Sequence, residues 1–350
     1  MRRIKILQVI TGLGPGGAER LVLDMMKRFD TDRYDVRLAS LTNNLTALTV
    51  YGHPNQIVEV FDLREGSGLV NFWDMKRFLK SFAPDVIHAH MFHSLVAAVA
   101  ASRFSLYEPA ICFTSHLDRY SIARNLTVRL LKPWRHADII FAPKQHPEMN
   151  VAETRVLPNG VPVESVPPLR APWSATSTLR LLAVGRLDEQ KDPLGLLRSL
   201  ARFDIPRWTL DFVGGGPLER EILTVASELG FANRVNLLGV RSDVRQRMRD
   251  SDILVMHSAY EGMPMALLEA GAEAMPVIAT PVGFVPEVVG NDRGYLAPAE
   301  RFAETLSELA KMPNAALLAG QRLWAHVYMK HSIGTVTKAH ENLYEWLFNR

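Results

Sequence analysis

Short β-branched runs alternate with helix-periodic stretches from the first residues onward, and this alternation limits the possible folds more than any other feature of the chain. In the first half the order is Ile4–Ile10, Ala18–Phe29, Val36–Leu41, Asp74–Phe82, Asp85–Ala89 and Leu95–Ser102. It restarts with Leu179–Val184, Pro193–Phe203, Trp208–Val213, Pro217–Leu229, Val235–Leu238, Asp243–Arg249, Ile253–His257, Pro264–Ala274 and Val277–Ala279. Such spacing is the signature of βαβ units, parallel strands joined by helical crossovers. The expectation is an α/β protein with two Rossmann-like, doubly wound parallel-sheet domains facing a cleft. The stretch 158–172 between the two series holds five prolines in 15 residues and has no periodicity, so it reads as a linker. Domains are expected over 1–160 and 161–334, followed by a helical pattern, Arg322–Phe348, broken near Gly334.

A length of 350 residues suits two domains, and 47% apolar with 22% charged residues excludes disordered and disulfide-miniprotein classes. A net charge of +3 is too balanced for a protein whose main partner is bulk nucleic acid. The charge is uneven: residues 1–160 carry 20 basic and 15 acidic side chains, residues 161–350 carry 20 and 22. The first half is therefore the one expected to meet an anionic surface. A lone cysteine, Cys112, cannot form an intrachain disulfide and fits a reducing compartment. No run reaches the ~18 apolar residues of a membrane span. The first apolar run leads straight into glycines rather than into a cleavage site, so a cytoplasmic location is expected.

Open parallel sheets bind ligands beyond the carboxyl ends of their strands. The first such end, Thr11-Gly12-Leu13-Gly14-Pro15-Gly16-Gly17-Ala18-Glu19, satisfies G-x-G-x-x-G. A dinucleotide site also needs a carboxylate after the second strand, and none occurs from Leu38 through Val58. No nicotinamide or flavin cofactor is expected. Gly16 to Ala18 open a helix whose amides can meet an anion, or simply make a tight turn. In the second half, Arg186 and Lys191 flank a loop leading to Pro193 and either converge on a diphosphate or stay solvated. Gly214-Gly215-Gly216-Pro217 is a bare backbone suited to a flat ligand or a sharp turn.

In Ser258-Ala259-Tyr260-Glu261-Gly262-Met263-Pro264-Met265-Ala266-Leu267-Leu268-Glu269-Ala270, Pro264 suits a first helical turn. Glu261 then lies in the preceding loop, where it and the amides of Gly262 to Met265 can meet sugar hydroxyls. Glu269 lies in the helix near an apolar face and needs partners. The two vicinal hydroxyls of a ribose would serve, and so would a buried bond to a neighbouring helix.

Taken together, GGAER at 16–20, His116 after a strand, LPNGV at 157–161, VGRLDEQKD at 184–192, FVGGGP at 212–217 and EGMPMALLE at 261–269 resemble the retaining glycosyltransferases of family 4 (glycosyl transferases group 1), which have the GT-B fold. The resemblance covers nearly the whole chain, and the last motif is that family's E-x7-E. It implies that Gly16 and Gly17 approach the donor diphosphate, that Arg186 and Lys191 bind its charge, and that Glu269 holds the ribose. Glu261 and the amides of Gly262, Met263, Pro264 and Met265 (Pro264 contributing only its carbonyl side) would face the transferred sugar. The backbone around Val240 and Arg241 would meet the base, and His116 would stand beside the sugar and phosphate. The first domain would be the acceptor side and the second the nucleotide-sugar donor side, with residues 335–350 returning to pack on the first. Family members often place aspartate directly after the histidine, whereas this chain reads His116-Leu117-Asp118, which puts a role for Asp118 in doubt.

Asp30-Thr31-Asp32 and Asp250-Ser251-Asp252 match the D-x-D of metal-dependent sugar transferases but precede strands, away from strand ends, so they are read as turns. No metal is expected. His88, His90 and His93 lack a completing carboxylate or cysteine, and at least one is expected to line the acceptor cleft. The function expected is transfer of a hexose from a nucleoside diphosphate sugar to a hydroxyl of a glycan or lipid-linked acceptor, with retention, in surface polysaccharide synthesis. A non-catalytic nucleotide-sugar-binding subunit and an epimerase are the rivals. Ile122, Leu126 and Leu130 recur at helical spacing among Arg119, Arg124, Arg129, Lys132, Trp134 and Arg135, which makes 119–135 a candidate contact with an anionic membrane surface. A solvated helix with a core stripe fits the same pattern.

Overall fold

Strands covered by helices on both faces must be apolar throughout rather than alternating, and runs such as Ile4–Ile10 and Leu179–Val184 become strands of this kind. The computed structural model describes residues 2–52, 54, 58–62, 68–103, 108–116, 122–141, 153–174 and 176–350, with side chains omitted for 68–71. The chain forms two compact units, Met1–Gly160 with Ile333–Arg350, and Val161–Ser332.

The first unit contains β1 (Ile4–Ile10), α1 (Gly17–Met26), β2 (Tyr34–Ser40), α2 (Thr46–Tyr51), β3 (Val58–Val60), α3 (Gly68–Phe82), β4 (Val86–His90), α4 (Met91–Arg103), β5 (Ala110–Thr114), α5 (Ile122–Leu130), β6 (Ala137–Ile140) and β7 (Thr154–Val156). Its seven strands are parallel in the order β3-β2-β1-β4-β5-β6-β7. The second unit contains β8 (Leu179–Val184), α6 (Pro193–Leu200), β9 (Trp208–Val213), α7 (Glu219–Glu228), β10 (Val235–Leu237), α8 (Val244–Asp250), β11 (Ile253–Met256), α9 (Met265–Ala272), β12 (Val277–Ala279), α10 (Val285–Val289), β13 (Tyr295–Leu296), α11 (Phe302–Ala310) and α12 (Pro313–His331). Its six strands are parallel in the order β10-β9-β8-β11-β12-β13. Both sheets reverse direction of winding at one point, between β1 and β4 in the first and between β8 and β11 in the second, where doubly wound folds hold their ligands.

The final helix, α13 (Ile333–Phe348), belongs to the first unit. The break before it falls at extended Ser332, so the chain rejoins the first unit at Ile333 rather than at 335. Tyr344 is fully buried there, and its ring lies 6.1 Å from that of Phe29. Glu345 accepts from the Tyr34 hydroxyl at 2.5 Å. The proline-rich stretch is tied down along its length: Val161 N–H donates to the His331 carbonyl at 2.9 Å, and the Arg170 guanidinium donates to the carbonyl of Met248 at 3.0 Å and also to that of Ser251.

The α9 helix is buried along its whole length. A Cβ on Gly271 would stand 2.6 Å from Val327, so only glycine lets α9 lie this close to α12. At its carboxyl end, Glu273 is fully buried and accepts from Arg245 at 2.5 Å and Arg249 at 2.6 Å, which satisfies a charge that would otherwise be costly there.

Candidate active site

In the second unit the loops after β8 and β9 lie backbone on backbone. Gly214 has a φ of +139°, and a Cβ there would stand 1.9 Å from the carbonyl oxygen of Gly185. Leu187 N–H accordingly donates to the Gly215 carbonyl at 3.1 Å. The triple glycine is thus needed for contact between two loops, and Val240 packs beside it, 3.6 Å from where a Cβ of Gly215 would be. Val240 is half exposed, and Arg241 turns to Asp243 at 2.9 and 3.0 Å.

The loop carrying both cations is clamped at its end. Asp192 takes a left-handed φ of +44° and caps α6 by accepting from Gly195 N–H at 3.0 Å. Its second oxygen stands 2.9 Å from His257 Nδ1, and His257 Nε2 lies 3.3 Å from Ser199 Oγ. With Asp192 held, Lys191 Nζ reaches Glu261 Oε1 at 2.5 Å. Glu261 is 3% exposed and also accepts from Ser258 Oγ at 2.7 Å. Arg186 does not join this pair: its Nε donates to Asp188 at 2.8 Å and its side chain is mostly in solvent.

The loop bearing Glu261 is braced from behind. Gly283 has a φ of +54°, a Cβ on it would lie 1.9 Å from the Glu261 carbonyl oxygen, and Phe284 N–H donates to the Gly262 carbonyl at 3.1 Å. The segment Gly262 to Pro264 then leads into α9 at Met265, with Pro264 as the capping residue. Glu269, one helical turn on, is 6% exposed. A small pocket at this edge is lined by Gly185, Arg186, Lys191, His257 and Ser258.

In the first unit, Gly16 caps α1 and Gly17 begins it. A Cβ on Gly16 would lie 2.3 Å from Glu19 Oε2, so a carboxylate already faces the amide end of α1. His116, two residues beyond β5, is half buried, and its Nε2 lies 3.1 Å from His90 Nδ1. Desolvation, and then the nearby His340, lower its pKa to about 4, while burial does the same for His340. Because an unfolded histidine titrates near 6.5, the unfolded chain takes up protons between pH 6.5 and 4 that these folded rings refuse. Their contribution to stability is therefore complete above pH 6.5 and lost as pH falls toward 4. We expect the ring resonances of His116 and His340 to titrate near pH 4; titration of both near 6.5 in NMR spectra would contradict neutral burial.

Several expectations require correction. His88 and His90 do not line an open surface: both are buried, and each uses both ring nitrogens in hydrogen bonds, His88 to Tyr344 and Thr114, His90 to His116 and Gln8. His93 falls on α4 rather than on the strand and is exposed. Asp30-Thr31-Asp32 is a turn as expected, with Asp30 accepting from Asp32 N–H at 2.9 Å, whereas Asp250 ends α8, Ser251 is extended and Asp252 pairs with Arg180 at 2.8 Å. Arg135 is buried against Asp138 at 2.8 Å, which removes it from the candidate membrane face, and the Arg103 guanidinium lies over the half-buried Trp134 ring. Leu117, Asp118 and residues 119–121 lie outside the described residues.

Residues 15–165 match the family model described as Glycosyltransferase Family 4, and residues 171–320 match the one described as Glycosyl transferases group 1. The chain belongs to the group 1 glycosyltransferases and has the GT-B fold. It is 25% identical over 91% of its length, and 94% of the relative's, to the amylovoran biosynthesis glycosyltransferase AmsD of Erwinia amylovora. It is 23% identical over 90% of its length, and 89% of the relative's, to an Escherichia coli UDP-Gal:alpha-D-GlcNAc-diphosphoundecaprenol alpha-1,3-galactosyltransferase. Among solved structures, Anabaena HepE in complex with UDP and glucose superposes with a TM-score of 0.83 at 20% identity, covering 97% of this chain and 99% of that one. Sucrose-phosphate synthase from Thermosynechococcus elongatus superposes with a TM-score of 0.85 at 19% identity, over 99% and 100% of the two chains.

Within this group 1 glycosyltransferase, sequence reasoning missed the residues that hold the site in shape. Asp192 before Pro193 carried an N-cap signal that could have been read locally. Gln8, a lone amide in an apolar strand, was a second signal. Ser258 acts on Glu261 from only three residues away, within the same loop, whereas His257, Gly283 and Tyr344 act through contacts distant in sequence and leave no local signal.

Proposed function

We propose that this protein is a retaining hexosyltransferase that moves a sugar from a nucleoside diphosphate donor to a hydroxyl of a glycan or lipid-linked acceptor. The observation that carries this reading is the Lys191–Glu261 pair at 2.5 Å, a cation for a diphosphate set against a carboxylate for a sugar, at the strand ends leading into the Glu269 helix. In this reading the second unit binds the donor and the first binds the acceptor. Lys191 exchanges Glu261 for the incoming diphosphate, and Arg186 swings from Asp188 to join it. The two cations stabilise the charge that grows on the leaving phosphate, so the step does not call for a metal ion or a resident cofactor. Released from Lys191, Glu261 accepts from hydroxyls of the sugar, and Glu269 accepts from the ribose. His116 is placed among the residues that act on the sugar, as the family resemblance implies. Incubation with nucleoside diphosphate sugars and candidate acceptors tests the reading: transfer with the anomeric configuration kept supports it, and inversion or epimerisation of the donor overturns it.

A lipid-linked acceptor in surface-polysaccharide synthesis is supported by the names of the Erwinia and Escherichia relatives and by α5. Ile122 is 89%, Leu126 57% and Leu130 64% exposed, an uncovered apolar stripe flanked by Arg124, Arg129 and Lys132. Among the described residues no helix is long and apolar enough to cross a membrane, and the reading is peripheral attachment to the cytoplasmic face through this stripe. We expect co-sedimentation with anionic vesicles at low salt and its loss when Arg124, Arg129 and Lys132 are neutralised. Failure to sediment, or sedimentation indifferent to those substitutions, would exclude α5 as the contact.

A further inference from the structure

Beneath His116 runs a chain of buried hydrogen bonds whose polarity can be followed atom by atom. Gln8 Nε2 donates to the Tyr344 hydroxyl at 2.9 Å, which leaves Gln8 Oε1 to face His90 Nε2 at 2.8 Å. An amide oxygen only accepts, so the His90 proton is on Nε2. His90 is held neutral by burial, with the neighbouring rings His88, His116 and His340 reinforcing the effect. Its Nδ1 therefore carries a lone pair, and the group facing that lone pair at 3.1 Å, His116 Nε2, must be the donor. The Tyr344 hydroxyl, accepting from Gln8, gives its own proton to His88 Nδ1 at 2.7 Å, and His88 Nε2 donates to Thr114 Oγ1 at 2.7 Å. Every member of the chain has a partner in this one sense.

We propose that Gln8 and His90 are positioning residues that fix His116 as the Nε2-protonated tautomer, with the Gln8 amide, its nitrogen turned to Tyr344 of the C-terminal helix, setting the sense of the whole chain. His116 then presents Nδ1 as an acceptor. Such a nitrogen takes a hydroxyl proton and repels a phosphate oxygen, so His116 recognises a hydroxyl of the donor sugar or of the acceptor rather than the diphosphate. Reversal of the Gln8 amide would move the proton of each ring to its other nitrogen, with the Tyr344 hydroxyl then donating to Gln8 and accepting from His88, so it is the orientation of the Gln8 amide that selects the tautomer. The inference rests on the reading above in which His116 meets the reacting sugar.

Long-range nitrogen–proton NMR correlations on the full chain read the tautomer directly. The wild type should show His116 protonated at Nε2. Gln8→Met, which removes both the amide donor and the acceptor, should give mixed tautomers and lower kcat by about tenfold or more, with the donor KM changed less than twofold. Tyr344→Phe keeps the buried ring and should shift the tautomer in the same direction with a smaller loss, which guards against a Gln8 variant that fails to fold. In a His116→Ala background, Gln8→Met should have no further effect on kcat. A wild-type His116 protonated at Nδ1, or an unchanged tautomer in both variants, overturns the relay. If His116→Ala lowers kcat while Gln8→Met does not, the relay fails and the functional reading survives; if His116→Ala leaves kcat unchanged, that reading fails instead.

Discussion

Replacing Lys191 with alanine is expected to weaken nucleoside diphosphate binding by one to two orders of magnitude and to lower turnover further. A charge-assisted hydrogen bond contributes about 1.5–3 kcal/mol, and the charge it meets grows as the glycosidic bond breaks, so the transition state loses more than the bound donor does. The structure adds a second contribution. Glu261 is 3% exposed and paired with Lys191, so Lys191→Ala also strands a buried carboxylate where the diphosphate must approach. The double variant Lys191→Ala/Glu261→Gln removes that stranded charge and should recover stability together with only the repulsive part of the lost affinity, leaving the loss of the cation itself. Thermal melting beside calorimetric titration separates the two effects. Equal donor affinity in wild type and Lys191→Ala would remove Lys191 from the diphosphate site.

Truncation from Lys338 onward should unfold or severely destabilise the first unit. The deletion removes Leu343, Tyr344 and Leu347, all buried. It also removes Glu345, the partner of Arg33 and the Tyr34 hydroxyl. Losing one large buried side chain commonly costs about 3–5 kcal/mol, and the whole stability of a domain is of order 5–15 kcal/mol. Gln8 and His88 would additionally be left as buried polar groups without their Tyr344 partner. Hydrogen exchange read separately over residues 2–52 and 179–320 checks this: protection should collapse in the first range and persist in the second. Unchanged protection in the first range would show that α13 does not support it.

The apolar runs announced both sheets because parallel strands buried on two faces have no polar alternation to hide them. Ile4–Ile10, Leu179–Val184, Trp208–Val213 and Val277–Ala279 have the same bounds in sequence and structure. The edge strands Val58–Val60 and Thr154–Val156 do not stand out in the sequence, since each carries a charged residue at its centre where the equally short Val277–Ala279 is apolar throughout. The last helical pattern reads from Arg322, yet α12 begins at Pro313, where a proline in the first turn is itself a start signal. In the site, motif spacing picked out Lys191, Glu261 and Glu269 but could not show that the first two are paired. That pairing depends on Asp192 in a left-handed conformation held by His257, sixty-five residues away, a contact no local pattern encodes. The α5 stripe was ambiguous for the same reason: its spacing fits burial or exposure equally, and only the packing around Val128 decides that Ile122, Leu126 and Leu130 face outward.

If the second unit binds a nucleoside diphosphate through Lys191 and Glu269 while His116 and Glu261 act on the sugar, substitutions at these residues divide between affinity and turnover. Calorimetric titration of the full chain with a panel of nucleoside diphosphates, repeated on Glu269→Ala, His116→Ala and Glu261→Ala, tests it most directly. One diphosphate should bind the wild type. Glu269→Ala should lose about 1.5–3 kcal/mol of that binding, the size of a hydrogen bond to a charged group. His116→Ala and Glu261→Ala should bind it nearly as before, despite strongly reduced turnover of the intact donor. Normal binding by Glu269→Ala, or abolished binding in folded His116→Ala and Glu261→Ala, would contradict the account.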